Sequence, residues 1–184
     1  MGLLLMIVSD ADLVARVRRG DLAAYAELVA RHRTSLERCA YHLLGNLEDA
    51  EDALQDALVR AYRAIDRCRQ PERFRGWLLS ILVNRCRTRL ARPDPIARDL
   101  VASTAIDHAA APDGTERASW REEIERALAT LSPDQREAFL LRHVEDLTYE
   151  EIAALTGASV PALKMRVNRA CERLRHLLED VYRA

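Results

Sequence analysis

Aromatic residues are scarce in this 184-residue chain, at 5% of the sequence, although hydrophobic residues make up 49% of it. Its packed cores must therefore consist mainly of Leu, Ala, Val and Ile, which favours helices over sheets. The length fits one large domain or two small ones. No segment shows the alternating pattern of a β-strand. We therefore expect an all-α protein.

Features of secreted, membrane, metal-binding and catalytic proteins are also missing. The four cysteines are scattered without a Cys-x-x-Cys pair, as is typical of free thiols in a reducing cytosol. His32, Cys39 and His42 form too small a cluster to predict a metal site. The apolar residues 1–8 are too short for a membrane span or a signal-peptide core. With no Gly-rich phosphate loop and no catalytic triad, we expect a cytoplasmic protein that is not an enzyme and has no membrane segment, metal or cofactor.

The formal net charge of −1 conceals basic and acidic blocks. Residues 67–98 contain nine basic and two acidic side chains, and residues 120–162 contain four basic and nine acidic ones. Salt screens charges beyond roughly 8 Å, so a ligand responds to these local blocks rather than to the sum.

Helical periodicity extends over residues 10–92. Apolar residues recur every three or four positions at 22–44 and 47–65, and a third long helix is expected at 74–92. Asp21 and Asn46 are the predicted caps at the starts of the first two, and Gly45 ends the first. These helices predict a first domain at residues 10–92.

Residues 93–115 are rich in Pro, Asp, Ala, Ser and Gly without periodicity, which predicts a flexible linker. A second domain is expected at residues 116–184. In it, Ser132 and Thr148 each precede a Gln or Glu by three residues, the capping-box pattern of a helix start. The predicted fold is all-α, with two small helical domains joined by a flexible linker.

The segment 149–170 has the pattern of a helix-turn-helix. Its two helical patterns meet at residues 156–158, where Gly157 allows a sharp turn with positive φ. The outward face of the second helix carries small, polar and basic residues, as a helix needs in the major groove of DNA. An ordinary helical hairpin with a solvated basic face is the alternative.

Two faces of the first domain are also charged. The helix at 47–65 presents a row of acidic and amide side chains opposite its apolar stripe: Glu48, Asp49, Asp52, Gln55 and Asp56. Such a face is repelled by phosphate but can steer a basic protein surface, or can simply be a solubilising exterior. The segment 67–92 is basic instead, and with Phe74 and Trp77 it suits single-stranded or melted nucleic acid. The alternative is that both aromatic residues are core.

These three features, in this order, resemble a bacterial RNA polymerase sigma factor of the extracytoplasmic-function (ECF) group, within the sigma-70 family. NLEDAEDALQDALVRAYRAI is similar to region 2.2, which in the family binds the clamp helices of the polymerase beta-prime subunit. FRGWLLSILVNRCRTRLAR is similar to regions 2.3 and 2.4, which read and melt the −10 promoter element. LSPDQREAFLLRHVEDLTYEEIAALTGASVPALKMRVNRACERLR is similar to region 4, which holds the −35 element and contacts the beta flap.

The resemblance implies roles for individual residues. Beside the loop that captures a flipped-out −10 base would lie Arg67, Arg69, Arg73, Phe74 and Arg75. Further −10 contacts would come from Asn84, Arg85, Arg87 and Arg89. Core polymerase would be docked by Glu48, Asp49, Asp52, Gln55 and Asp56. Extruding a base costs roughly a few kcal/mol, which the loop and its basic rim must offset.

In the second domain, the −35 contacts would be Pro161, Ala162, Lys164, Met165, Arg166 and Arg169. Pro161 and Ala162 stand where the family has Gly-Thr, and Met165 where Ser is common, so the family's −35 preference does not transfer to this chain. A low net charge is compatible with this function, because polymerase supplies affinity and the tether lets two weak DNA contacts act together.

We therefore expect a promoter-specificity subunit whose partners are core RNA polymerase, promoter DNA and an anti-sigma factor. A free-standing helix-turn-helix regulator, which would bind duplex DNA tightly without polymerase, is the alternative. A helical adaptor with no nucleic-acid role is a third class, and it would leave Arg85, Arg87 and Arg89 without a function.

Overall fold

The computed structural model describes residues 8–91 and 115–182. Within these ranges the chain forms helices and two short 3-10 turns, with no strand, which confirms the all-α prediction. The helices are α1 (Asp10–Arg18), α2 (Leu22–Leu44), α3 (Leu47–Arg63), α4 (Phe74–Leu90), α5 (Thr115–Ala129), α6 (Pro133–His143), α7 (Tyr149–Thr156) and α8 (Val160–Tyr182). The predicted linker, apart from Thr115, lies outside the described residues, as do most of the apolar residues 1–8.

The described residues fall into two compact units. We call residues 8–40 and 48–91 the N-terminal unit. The other contains residues 41–47 and 115–182, and we call its helices α5–α8 the C-terminal unit. None of the described helices is long and apolar enough to cross a membrane.

Helix α2, most of which lies in the N-terminal unit, begins after a polar cap and ends before a glycine. Asp21 accepts a hydrogen bond from the amide of Ala24 over 3.1 Å, and this bond, with one from Arg16, lowers the pKa of its carboxyl. Gly45 follows α2 with φ 71°, a left-handed conformation that favours glycine. Both predicted signals, the Asp21 cap and the Gly45 stop, are therefore confirmed.

The core of the N-terminal unit is aliphatic, with one buried phenylalanine. Its largest fully buried side chains are Leu13, Leu28, Leu36, Leu54, Phe74, Leu78, Leu79 and Leu82. Tyr25 packs at the edge of this core and donates its hydroxyl to the carbonyl of Leu58 over 2.6 Å. Burial raises the pKa of Tyr25 to about 12. This bond ties α2 to α3.

The C-terminal unit contains the capping boxes that the sequence predicts. Ser132 accepts from the amide of Gln135 at the start of α6, and Thr148 accepts from that of Glu151 at the start of α7. Gly157 follows α7 with φ 74°, the left-handed conformation that permits the sharp turn into α8. These local signals fix where the helix-turn-helix begins and bends.

Arg136 on α6 caps the carboxyl-terminal end of α5. Its guanidinium donates to the carbonyls of Leu128 and Ala129 over 3.0 Å each, and to that of Leu131 over 3.4 Å. The last carbonyls of a helix lack partners within it, and a cation is favourable there. Burial lowers the pKa of Arg136. The turn between α5 and α6 is thereby fixed.

Candidate nucleic-acid interface

Helix α8 separates an apolar face from an exposed polar one along its first four turns. Leu163, Val167 and Ala170 retain at most 3% of their exposed surface. The exposed side of the same stretch carries Pro161, Lys164, Met165, Asn168 and Arg169, with Ala162 and Arg166 half-buried beside them. All six predicted −35 residues are thus brought together on one helix, at or beside its exposed face.

Contacts to other helices hold two of the cations on α8. The guanidinium of Arg166 forms an ion pair with the Asp134 carboxylate on α6, with 2.7 Å between Nη2 and Oδ2. Lys164 Nζ lies 5.7 Å from the ring centroid of Tyr149, and the guanidinium carbon of Arg142 lies 5.4 Å from the same centroid. Cation–π contacts of this kind orient a cation without neutralising it. Lys164 therefore keeps its full charge for a phosphate, whereas Arg166 shares its charge with Asp134.

The acidic face of α3 is exposed, as the sequence predicts. Glu48, Asp52, Gln55 and Asp56 are exposed, and Asp49 is half-buried at the edge. Alanines and a leucine form the opposite face: Ala50, Ala53, Leu54, Ala57 and Ala61 are buried. Helix α3 therefore exposes carboxylates on one side, while its opposite, apolar side belongs to the core.

Arg89 of α4 binds two carboxylates of this acidic face at once. Its Nη1 atom donates to Asp49, and its Nη2 atom donates to Asp52 over 2.7 Å. Partial burial opposes its charge, but the hydrogen bonds to Asp52 and Asp49 outweigh this and raise the pKa of Arg89. One residue predicted to bind DNA is thus paired with two residues predicted to bind polymerase.

The predicted −10 residues differ in exposure. Arg67, Arg69, Arg73, Asn84 and Arg87 are exposed, and Arg75 and Arg85 are half-buried. Phe74 is different, because its side chain has no exposed surface and its ring centroid lies 5.9 Å from those of both Trp77 and His32. Phe74 belongs to the core of the N-terminal unit, so in this structure it supports the loop from beneath instead of facing a base. Trp77 is half-buried.

Three residues that the sequence does not single out contribute to these surfaces. Asp134 and Tyr149 hold Arg166 and Lys164 on α8, and Arg18 of α1 binds the loop between α3 and α4. Each contact joins separate elements, so periodicity along one helix gives no signal for it. Among the described residues, no group of three or more His, Cys, Asp or Glu side chains is placed to hold a metal ion.

A helix-turn-helix with an exposed basic helix, and a separate unit that has an acidic helix and an arginine-rich loop, are features of DNA-binding transcription proteins. Residues 28–94 match the family model described as Sigma-70 region 2, and residues 121–174 match that described as Sigma-70, region 4. The RNA polymerase sigma factor CarQ of Myxococcus xanthus is 36% identical over 169 residues, which cover 90% of this chain and 95% of CarQ. The RNA polymerase sigma-H factor of Pseudomonas aeruginosa is 32% identical over 185 residues, covering 95% and 96%.

Solved structures agree with these relatives. CnrH, solved in complex with the cytosolic domain of CnrY, superposes with a TM-score of 0.64 at 29% identity, covering 93% of this chain and 97% of CnrH. The sigma factor RpoE of Bartonella quintana, solved with the anti-sigma factor NepR, gives a TM-score of 0.68 at 27% identity, covering 84% and 96%. The ECF RNA polymerase sigma factor SigM of Mycobacterium tuberculosis is 33% identical over 170 residues, which cover 92% of this chain and 85% of SigM. The chain belongs to the sigma-70 family, in its ECF group. It is an RNA polymerase sigma factor, which directs core polymerase to promoters, and a free-standing regulator is not favoured.

Proposed function

We propose that the two units of this sigma factor divide the work as the family pattern implies, with residues 10–92 as region 2 and residues 116–184 as region 4. The acidic face of α3 docks on the beta-prime clamp helices of core polymerase. The loop after α3 and helix α4 read and melt the −10 element, while α8 reads the −35 element and its unit contacts the beta flap. The chain contributes recognition and no catalysis of its own, in the cytoplasm.

The observation that carries this proposal is the division of α8 into a buried and an exposed face. Lys164, Met165 and Arg169 lie outward on a helix whose opposite side is sealed by Leu163 and Val167. An exposed row with cations and an apolar side chain can meet base edges and phosphates together. The methionine offers an apolar contact where a hydroxyl would offer a hydrogen bond, so we expect a −35 preference of this chain's own.

The pairing of Arg89 narrows the docking surface on α3. Asp49 and Asp52 share their charge with Arg89 inside the N-terminal unit. Glu48, Gln55 and Asp56 are exposed without such a pairing to α4. We propose that these three residues meet polymerase first, and that Arg89 acts mainly on the structure of its own unit, with Asn84, Arg85 and Arg87 left as the DNA-facing residues of α4.

Regulation by an anti-sigma factor is part of the proposal. CnrH and RpoE, the two solved structures compared above, are each bound to a second protein, which for RpoE is the anti-sigma factor NepR. Their similarity to this chain over most of its length supports a partner of that kind. A pull-down of this chain with candidate anti-sigma proteins from its own genome tests it.

The experiment that tests the main proposal is transcription by this chain reconstituted with core polymerase, with start sites mapped by sequencing. Charge reversal at α8, Lys164→Glu with Arg169→Glu, should lower promoter-directed transcription at least about tenfold. Reversal at α3, Asp56→Arg, should weaken core binding by about tenfold, since one like charge is added to a charge-steered interface. Core affinity is measured separately by titration, so that the two losses are distinguished.

Matched controls are available on the same helices. Lys164→Glu is also made singly, and its control is Arg175→Glu, which makes the same charge change three turns further along α8 at another exposed residue. Glu51→Arg matches Asp56→Arg, at an exposed residue outside the predicted docking row. Equal losses in test and control variants, or no promoter-directed transcription by the wild-type holoenzyme, would contradict the proposal.

A further inference from the structure

The loop between α3 and α4, residues 64–73, has a buried side and an exposed side. Ile65 retains 7% of its exposed surface and Cys68 retains none. Arg67 and Arg69, on either side of Cys68, are exposed. The two buried side chains anchor the loop to the N-terminal unit, and the arginines that we propose to meet the −10 element lie on its outer side.

Arg18, in the last turn of α1, binds the backbone of the loop at those two anchors. Its Nη2 atom donates to the carbonyl oxygen of Cys68 over 2.6 Å and to that of Ile65 over 3.4 Å. Its Nε atom lies 4.0 Å from the carboxylate of Asp66, between them. A single guanidinium thus contacts Ile65, Asp66 and Cys68, and its hydrogen-bond partners lie 47 and 50 residues further along the chain.

The conformation of this loop favours a cation beside the carbonyls of Ile65 and Cys68. The amide of Arg67 donates to the carbonyl of Ala64 over 2.8 Å, and that of Cys68 donates to Ile65 over 3.1 Å, so a tight turn follows the end of α3. Carbonyls at the end of a helix or 3-10 turn point away from it and are stabilised by positive charge. Arg18 supplies both the hydrogen bonds and the charge from a neighbouring helix.

We infer that Arg18 is a positioning residue for promoter recognition, which fixes the loop in the conformation that presents Arg67 and Arg69 to the −10 DNA. The inference rests on the proposed −10 role of this loop. The next residue, Arg19, is the matched control, because it is exposed and its side chain makes no hydrogen bond or ion pair in the described part of the chain. Arg18→Ala and Arg19→Ala therefore remove the same charge, and only the first removes the contacts to the loop.

Amide hydrogen exchange of the free protein tests the structural half of the inference. In Arg18→Ala, amides of residues 65–70 should exchange about tenfold faster, since a charge-assisted hydrogen bond to the backbone is lost. Amides of α6–α8 should be unchanged, and Arg19→Ala should match wild type throughout. If Arg18→Ala does not fold, Arg18→Lys, which keeps the charge but cannot reach both carbonyls as a guanidinium does, should still exchange faster than wild type at residues 65–70, and wild-type exchange there would overturn the inference. Wild-type exchange in residues 65–70 of Arg18→Ala would likewise overturn it.

Base selection by the holoenzyme tests the functional half. The probe is a DNA pool with a duplex upstream part and a randomised single strand downstream, sequenced after binding to core polymerase loaded with each variant. Wild type should prefer particular bases at the positions where Arg69→Ala loses its base preference. At those positions Arg18→Ala should lose at least about half of the wild-type preference, while its affinity for core polymerase is unchanged. Arg19→Ala should select as wild type does.

The outcomes separate this inference from the function on which it rests. Full selection by Arg18→Ala beside lost selection by Arg69→Ala would overturn the positioning role and leave the −10 role of the loop intact. If wild type selects no base through the loop, the −10 role itself fails and the inference fails with it. Faster exchange together with lost selection in Arg18→Ala alone supports both.

Discussion

Hydrogen bonds that span different distances along the chain hold two parts of the molecule: the helix starts of the C-terminal unit, and α3 with the loop after it in the N-terminal unit. In the C-terminal unit, Ser132 and Thr148 bond to residues three positions later, and Arg136 reaches carbonyls five to eight positions earlier. In the N-terminal unit, the bonds of Tyr25 to Leu58, of Arg89 to Asp52 and of Arg18 to Cys68 span 33, 37 and 50 residues. The starts of α6 and α7 are therefore set by local caps, whereas α3 and the loop after it are held by bonds from distant helices. The contrast is between these segments, because a local cap also starts α2 at Asp21, and a distant pair, Arg166 with Asp134, also joins α8 to α6.

The distance that a hydrogen bond spans along the chain decides how many elements are destabilised when that bond is lost. A lost local cap affects the helix end that it serves, whereas a lost bond between distant helices loosens both of them and the loop between. The loop that we propose to hold an extruded base is thus supported by several helices, and the helix that we propose to enter a groove depends mainly on its own shape.

The largest effect is expected at Phe74, the fully buried aromatic residue that joins the helices of the N-terminal unit. Phe74→Ala should lower the free energy of unfolding of that unit by about 3–5 kcal/mol, since a large buried side chain leaves a cavity. Urea unfolding followed by hydrogen exchange in peptides of each unit measures this.

Phe139 on α6 is the matched control, because it is the other phenylalanine in the chain and is half-buried. Phe139→Ala should cost clearly less, and should act on the C-terminal unit alone. If the two variants lose equal stability, burial of Phe74 in the core is not what distinguishes the units.

A smaller effect, confined to the C-terminal unit, is expected at Gly157. Its φ of 74° suits glycine, and Gly157→Ala should cost about 1–2 kcal/mol because a side chain is disfavoured in this conformation. Gly76, inside α4, is the control: nothing lies within 4 Å of a Cβ added there, so Gly76→Ala should stabilise by about 0.5–1 kcal/mol. Thermal unfolding measures both, and a destabilised Gly76→Ala would contradict this account of the two glycines.

The smallest effect is expected from the carboxylates that bind Arg89. Asp49→Asn with Asp52→Asn should lower the stability of the N-terminal unit by about 1 kcal/mol, because both carboxylates are substantially exposed and their pairing is screened by salt. A double-mutant cycle with Arg89→Ala isolates the pairing, and the loss should shrink in high salt.

The corresponding pair in the C-terminal unit gives the comparison. Asp134→Asn breaks the pair with Arg166, whose carboxylate partner is 63% exposed, and should cost no more than about 0.5 kcal/mol. A coupling energy for Asp134 and Arg166 as large as that for Arg89 would remove the proposed difference between the units.

Features that depend on neighbouring residues could be predicted from the sequence, whereas contacts between distant residues could not. The two capping boxes, Gly157 and the faces of α8 are local or periodic, and all were predicted. Helix α3 was expected to reach residue 65, but it ends at Arg63, because Ile65 begins a 3-10 turn that buries its side chain.

The features of the site that were not predicted depend on residues that meet only in the folded chain. From the sequence, Phe74 is equally compatible with a base contact and with a core position. Its packing against Trp77 and His32 becomes visible only in the folded chain. The pairing of Arg89 with Asp49 and Asp52 gives no periodic signal either, since its members lie on different helices.

The contact made by Arg18 also bears on how such a protein can diverge. Its hydrogen bonds end on main-chain carbonyls, which every amino acid possesses, so they place no demand on the identity of the exposed residues at 67 and 69. If the loop has the proposed −10 role, substitutions at those two positions alter which DNA is preferred while the frame of the loop is inherited unchanged. A duplicated gene could acquire a new set of promoters in this way without first having to rebuild its fold.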